Sequence, residues 1–249
     1  MTDILAIHAH PDDIETLAAG TLACLASLGH AVTIATLTAG DCGSSDLGPE
    51  ETARIRQAEA LAAARMIGAA YRCVGIGDLA VFNDDPSRRK VTEMLRALRP
   101  AVVITSAPAD YHPDHEATSL LVRDACFAAS APNYRTGPSA PLKGVPHLYF
   151  TDPIGGRDRE GRSVPPDFAV DISAWMETKR AMLAAHESQW TWLLNQHGVT
   201  DPIGAMETLS RRRGRQHGVA AAEGFRHYRH EPYPRTPLLQ ALLGEAVLT

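Results

Sequence analysis

Two short stretches carry the residue types of metal-assisted hydrolysis: His10-Pro11-Asp12-Asp13 and His112-Pro113-Asp114-His115. A catalytic zinc takes three protein ligands from histidine and carboxylate and keeps its fourth position for water. His10 with Asp13, and His112 with His115, are i, i+3 pairs that can face one side of a first helical turn. Four side chains then compete for three places, and spacing does not choose between His112 and His115. The middle carboxylates, Asp12 and Asp114, are left over. An unligated carboxylate beside a metal is suited to accept a proton from water.

Plainer readings exist. Asp12 and Asp13 can be favourable first-turn charges at a helix N-terminus, and a single His-Pro-Asp can be an ordinary turn. The recurrence of one design at two corresponding strand ends is what argues for chemistry. His8 could reach the same crevice by strand alternation, but a lone extra histidine is set aside as structural.

The elements that position these residues follow from the apolar pattern. Ile4 to Ala9 is a short apolar run, and Ile14 to Leu28 is an Ala/Leu-rich helix stopping at Gly29. Ala31–Leu37 is β-branched and alternating, Glu50–Ile67 helical, Tyr71–Ile76 a strand, Ser87–Leu98 a helix and Val102–Ser106 a strand. His115–Ala129 is the next helix. This alternation predicts an α/β fold, a Rossmann-like, doubly wound, mostly parallel sheet, with residues 1–249 forming a single domain. Both His-Pro-Asp segments then follow strands, where an open parallel sheet binds its ligands. Each proline suits the first turn of a helix, where a missing N–H costs nothing.

The second half is less regular. Residues 131–167 hold many prolines and glycines around a strand at His147–Thr151. A strand at Phe168–Ile172, a helix from Ala174 to about Trp192, a helix at about Ile203–Gln216 and a short one from Leu238 complete the chain.

A chain of 249 residues, 45% hydrophobic, can bury a full core. The net charge of −5 argues against a nucleic-acid partner, and the run Arg211-Arg212-Arg213-Gly214-Arg215 is a solvated helix face. Four cysteines without C-x-x-C spacing fit reduced thiols in a cytoplasmic protein. No signal peptide and no run of the ~20 apolar residues of a membrane span is found.

The double motif resembles the PIG-L/LmbE family of zinc-dependent de-N-acetylases, and the likeness extends over nearly the whole chain. Thr36–Gly40 and Arg56-x-x-Glu59 are similar to family signatures. Pro166–Ser173, Lys179, Ser188-Gln189 and Ala222-Glu223-Gly224-Phe225 resemble the bacillithiol-pathway N-acetylglucosaminyl-malate deacetylase branch. The resemblance implies zinc held by His10, Asp13 and His115. It further implies Asp12 as general base, His112 as oxyanion stabiliser or acid oriented by Asp114, and Arg56 contacting the substrate beyond the sugar. It implies deacetylation of an N-acetylglucosamine conjugate by a homo-oligomer, trimer or hexamer. Two segments depart from the nearest relatives: Asp41–Ser45 replaces a shorter glycine-rich turn, and Gly155–Pro165 is longer and polar.

Rival readings are a zinc-dependent hydratase or other amidase on the same scaffold, and a non-catalytic metal or sugar binder, against which the spare Asp12 argues. A nucleotide-binding module is disfavoured because no Gly-x-Gly-x-x-Gly or Walker loop follows a strand.

Overall fold

The structure, a computed structural model, describes the backbone of residues 1–249 and every side chain other than those of Thr191 and His197. Five strands form the parallel part of the sheet: β1 (Asp3–His8), β2 (Ala31–Thr38), β3 (Ala70–Ile76), β4 (Val102–Thr105) and β5 (His147–Thr151). The helices between them are α1 (Asp13–Leu17), α2 (Ala19–Ser27), α3 (Pro49–Arg65), α4 (Asp85–Leu98) and α5 (Pro113–Ala129). The remainder contributes β6 (Phe168–Asp171), α6 (Met176–Ala184), α7 (Ser188–His197), α8 (Pro202–His217), β7 (Ala222–Tyr228), α9 (Leu238–Leu243) and β8 (Val247–Leu248). One sheet holds all eight strands in the order β3-β2-β1-β4-β5-β7-β6-β8. β7 lies antiparallel to β5 and β6, and β8 antiparallel to β6. The expected doubly wound α/β fold is therefore present, with an antiparallel extension at one edge.

Strand β1 explains the layering. Ile4 and Ala6 point into a core shared with Leu22, Leu25, Ile34 and Met182, while Leu5 and Ile7 enter a second core with Val91, Leu95, Leu121 and Val122. Both faces of the strand are covered, so its sequence is continuously apolar rather than alternating. β1 pairs in parallel with both β2 and β4. The chain leaves β1 towards β2 on one side, and β4 lies on the other, which makes the gap between β1 and β4 the switch point of the sheet. Crevices for ligands open there.

Three expectations are corrected. The helix expected over Ile14–Leu28 is two helices broken at Ala18 (φ −140°, ψ 0°). The break is held by the Glu223 carboxylate, which accepts the N–H groups of Gly20 and Thr21 while paired with buried Lys179. The helix expected from Ala174 to Trp192 is divided into α6 and α7, because Glu59 captures both the N–H and the hydroxyl of Ser188 (2.9 and 2.6 Å). Strand β7 was not expected from pattern: Glu223, Arg226 and His227 interrupt its apolar character. Among the described residues no helix is long and apolar enough to cross a membrane, and all four cysteines are unpaired.

Candidate functional site

The two His-Pro-Asp stretches meet at the switch point, as their placement after β1 and β4 requires. A cavity of about 280 Å³ there is lined by His10, Asp12, Asp13, Arg56, His112 and His115, together with Cys42, Gly43, Asp78, Leu79, Tyr111 and part of α7.

Asp13 is the bridge of the cluster. Its Oδ1 lies 3.1 Å from His115 Nε2, and its Oδ2 lies 3.4 Å from His10 Nδ1 while accepting the His10 backbone N–H at 2.8 Å. The other ring nitrogen of each histidine faces a carboxylate. His10 Nε2 is 3.0 Å from Asp78 and 3.4 Å from Asp114; His115 Nδ1 is 3.2 Å from Asp110. All of these side chains are buried. Burial alone would discharge the imidazoles, but their carboxylate partners win: His10 is held well above its ordinary pKa and His115 is raised to about 9. Burial likewise opposes the charge of Asp13, and the two histidines overcome it, drawing its carboxyl well below the usual range.

This is a donor set suited to a dication. Two imidazole nitrogens, His10 Nδ1 and His115 Nε2, each face the Asp13 carboxylate, and each far nitrogen is oriented by a carboxylate, as metal-ligating histidines require. His10, Asp78 and Asp114 form a second set, with ligand atoms within 4.8 Å of one another. The carboxylates that stabilise protons on both rings would stabilise a bound cation in the same way. One nitrogen each of His10, His112 and His115 also lie within 4.8 Å of one another, so proximity alone admits His112 as a ligand. Hydrogen bonding argues otherwise. His112 caps α5, its Nδ1 accepting the Asp114 backbone N–H at 3.2 Å. A neutral ring with Nδ1 as acceptor carries its proton on Nε2, which suits His112 Nε2 to donating a hydrogen bond.

Burial and the neighbouring imidazoles His115 and His10 push His112 down to about 4. Both effects favour the neutral ring. The expected orientation by Asp114 differs in kind. Its backbone N–H holds His112, while its carboxylate accepts the Leu79 N–H at 2.8 Å and faces His10.

Asp12 stands beside this cluster at φ 98°, ψ −22°, a region uncommon for any residue but glycine. Its carboxyl makes no helix-capping bond. Burial pushes it up to about 6, against the downward pull of Arg56. Arg56 is buried; Nη1 donates to Gly40 O (2.9 Å), and Nη2 donates to Pro11 O (2.8 Å) and to Asp12 Oδ2 (3.4 Å). Gly40, at φ +66°, must be glycine here, since a Cβ would lie 2.0 Å from Arg56 Nη1. Arg56 therefore meets the site at the Asp12 end, not at the outer rim where a contact beyond the sugar would be expected. Its neighbour in the signature, Glu59, holds Ser188, and Gln189 donates to Gly43 O (3.2 Å). Two stretches of sequence resemblance 129 residues apart are thus one contact.

Sequence reasoning passed over Asp78, Asp110 and the pair Glu15–His186, whose side chains lie 3.5 Å apart in the interior. Asp78 and Asp110 follow the carboxyl ends of β3 and β4, and that position was the available signal. Asp110 joins three elements: besides His115, it accepts the N–H groups of His112 (3.2 Å) and Ile154 (2.9 Å). His8 is buried and pushed down by burial to about 4.

Residues 5–126 match the family model described as PIG-L, GlcNAc-PI de-N-acetylase. The chain is 30% identical to a 1D-myo-inositol 2-acetamido-2-deoxy-alpha-D-glucopyranoside deacetylase of Nakamurella multipartita, covering 94% of this chain and 92% of that one. It is 27% identical to a 4-oxalmesaconate hydratase of Pseudomonas putida, over 76% of this chain and 75% of the other. A conserved protein of Thermus thermophilus superposes with a TM-score of 0.76 at 30% identity, covering 95% of this chain and all of that one. With its double motif gathered at the switch point of this sheet, the chain belongs to the PIG-L family of de-N-acetylases.

Proposed function

We propose that the protein hydrolyses the N-acetyl group of an N-acetylglucosamine conjugate, with His10 Nδ1, Asp13 and His115 Nε2 holding zinc. The observation that carries this reading is the division of labour around Asp13: two imidazoles converge on it, while the adjacent Asp12 is left unligated. Bound zinc supplies Lewis acidity, polarising the amide carbonyl and lowering the pKa of water toward ~7.

The remaining chemistry belongs to the chain. Asp12, raised by burial to about 6, accepts the proton of the attacking water and passes it to the departing amine, a task suited to a carboxyl poised near neutrality. Arg56 keeps Asp12 turned toward the site through its bonds to Gly40 and Pro11. His112 Nε2–H donates to the oxyanion developing on the carbonyl, with the α5 cap fixing its direction.

Acetate release tests the reading: zinc-loaded protein should liberate acetate and free amine in equal amounts from N-acetylglucosamine conjugates, and chelation should stop it. The likeness to a hydratase keeps water addition to an unsaturated carboxylate as the second reading. Hydration without acetate release would select it. An inositol or a malate aglycone, the latter implied by the bacillithiol resemblance, would each fall within the proposed class. The trimer or hexamer is implied by the resemblance alone, and scattering mass checks it.

A further inference from the structure

The mouth of the cavity is apolar in a way that catalysis does not explain. Leu79 from the loop after β3 is 61% exposed, and Tyr111 from the turn before α5 is 53% exposed. Trp192 and Leu193 of α7 are half-buried, and all four line the cavity that contains His10 and Asp12. Single exposed apolar side chains are common on proteins. Four from three separate elements converging on one cavity are characteristic of a binding surface.

Leu79 is held in place. Its backbone is left-handed, φ 59°, and its N–H is fixed by Asp114 (2.8 Å) and Asp78 (3.0 Å). The same carboxylates that face His10 thus aim a leucine outward into the mouth. The Tyr111 ring lies edge-on, 5.7 Å from His112 and 5.9 Å from His115. The apolar surface therefore begins beside the reacting centre and continues along α7.

Charge narrows the occupant. Among the described residues that line the cavity, Arg56 is the one arginine or lysine; it is 4% exposed, and both terminal nitrogens are bonded within the chain. Asp12, Asp13 and Asp78 face the same space. A carboxylate or phosphate on the substrate would find no free arginine or lysine among the described residues at the rim. A polyol would find Gln189 already donating to Gly43 and Ser188, which leaves Gln196 as the amide of α7 that lines the cavity.

We propose that this rim is an aglycone subsite for an uncharged aromatic group on the N-acetylated sugar. The proposal rests on the deacetylase reading above and adds the substrate class. An aromatic ring seated there covers Leu79 and packs against Tyr111 and Trp192, removing apolar surface from water on both sides.

The experiment compares acetate release by the zinc-loaded protein from phenyl, methyl and carboxymethyl glycosides of N-acetylglucosamine, in both anomeric forms. The phenyl glycoside should exceed the methyl in kcat/KM by about tenfold or more, the scale on which apolar pockets discriminate. The carboxymethyl glycoside should fall below the methyl. Leu79→Ser and Trp192→Ala should each bring the phenyl-to-methyl ratio toward one. Equal rates on phenyl and methyl, a preference for the carboxymethyl glycoside, or a ratio unmoved by both variants would overturn the subsite. If none of the three yields acetate, the deacetylase reading is what fails. Calorimetry of the metal-loaded protein then judges the rim separately: tighter phenyl binding weakened by Leu79→Ser supports it, and equal binding of all three glycosides overturns it.

Discussion

The two His-Pro-Asp turns are alike in sequence and unlike in structure. In the second, His112 is the cap and Pro113 opens α5, so that His115 stands in the first turn. In the first, the helix begins two residues later in the motif: Asp12 is the cap at φ 98°, Asp13 opens α1, and Pro11 lies outside the helix. The expectation that both prolines occupy a first helical turn holds for Pro113 alone. This offset decides the chemistry. It puts a carboxylate, Asp13, between the histidines, and it strains Asp12 out of the helix beside them. In the second turn the equivalent middle residue, Asp114, is an ordinary helical residue whose carboxylate serves Leu79 and His10. Strain of this kind costs of order 1–3 kcal/mol and gathers at functional sites.

The sharpest way to break this comparison is to remove the two histidines of the second turn separately. His115→Ala should lose bound zinc and with it all measurable activity, whereas His112→Ala should keep zinc stoichiometry by metal analysis and lose about 10²–10³-fold in kcat, the scale of a missing oxyanion donor. Equal loss of metal from both variants would make the turns equivalent as ligand sources. Next in size, Asp12→Asn should retain metal while kcat drops by roughly 10²–10⁴-fold. Near-normal turnover would mean that the left-handed cap is structural.

Asp110→Asn sharpens the comparison from behind. His115 would lose the charge that orients its Nδ1–H, and zinc affinity measured against a competing chelator should weaken by about 10–100-fold. Unaltered affinity would show that the turn alone positions His115. The smallest effect is expected at the support of the first turn's flank. Ser188→Ala removes one hydrogen bond to Glu59, so denaturant unfolding should report a loss of about 1 kcal/mol. No change would indicate that α7 is held against α3 by other contacts.

Strands β1, β4 and β5 were legible because both their faces are buried, which writes each one as an apolar run; β5 was expected at His147–Thr151 and is found there. Strand β7 was not legible by the same rule. Its buried Glu223 is satisfied by distant partners, Lys179 and the N-terminus of α2, and with Arg226 and His227 it leaves the strand without an apolar signature. The helix breaks at Ala18 and before Ser188 escaped for a related reason: each is fixed by a carboxylate remote in sequence, Glu223 or Glu59, that no local window contains.

By itself the sequence determined the residue types of the site and, through the strand–turn–helix pattern, the edge of the sheet where they must meet. Spacing left His112 and His115 interchangeable, since both sit within one turn of the same helix start. Their surroundings differ in the folded chain: the Asp114 backbone N–H, two residues on, meets His112 Nδ1 within the α5 cap, whereas His115 lies between Asp110 and Asp13, the latter brought from the other turn. Folding also brings Arg56 of α3 beside Asp12. Side-chain type and the helix cap are local information, whereas the carboxylate that a histidine faces across the crevice, Asp13 for His115, is brought by folding from another segment.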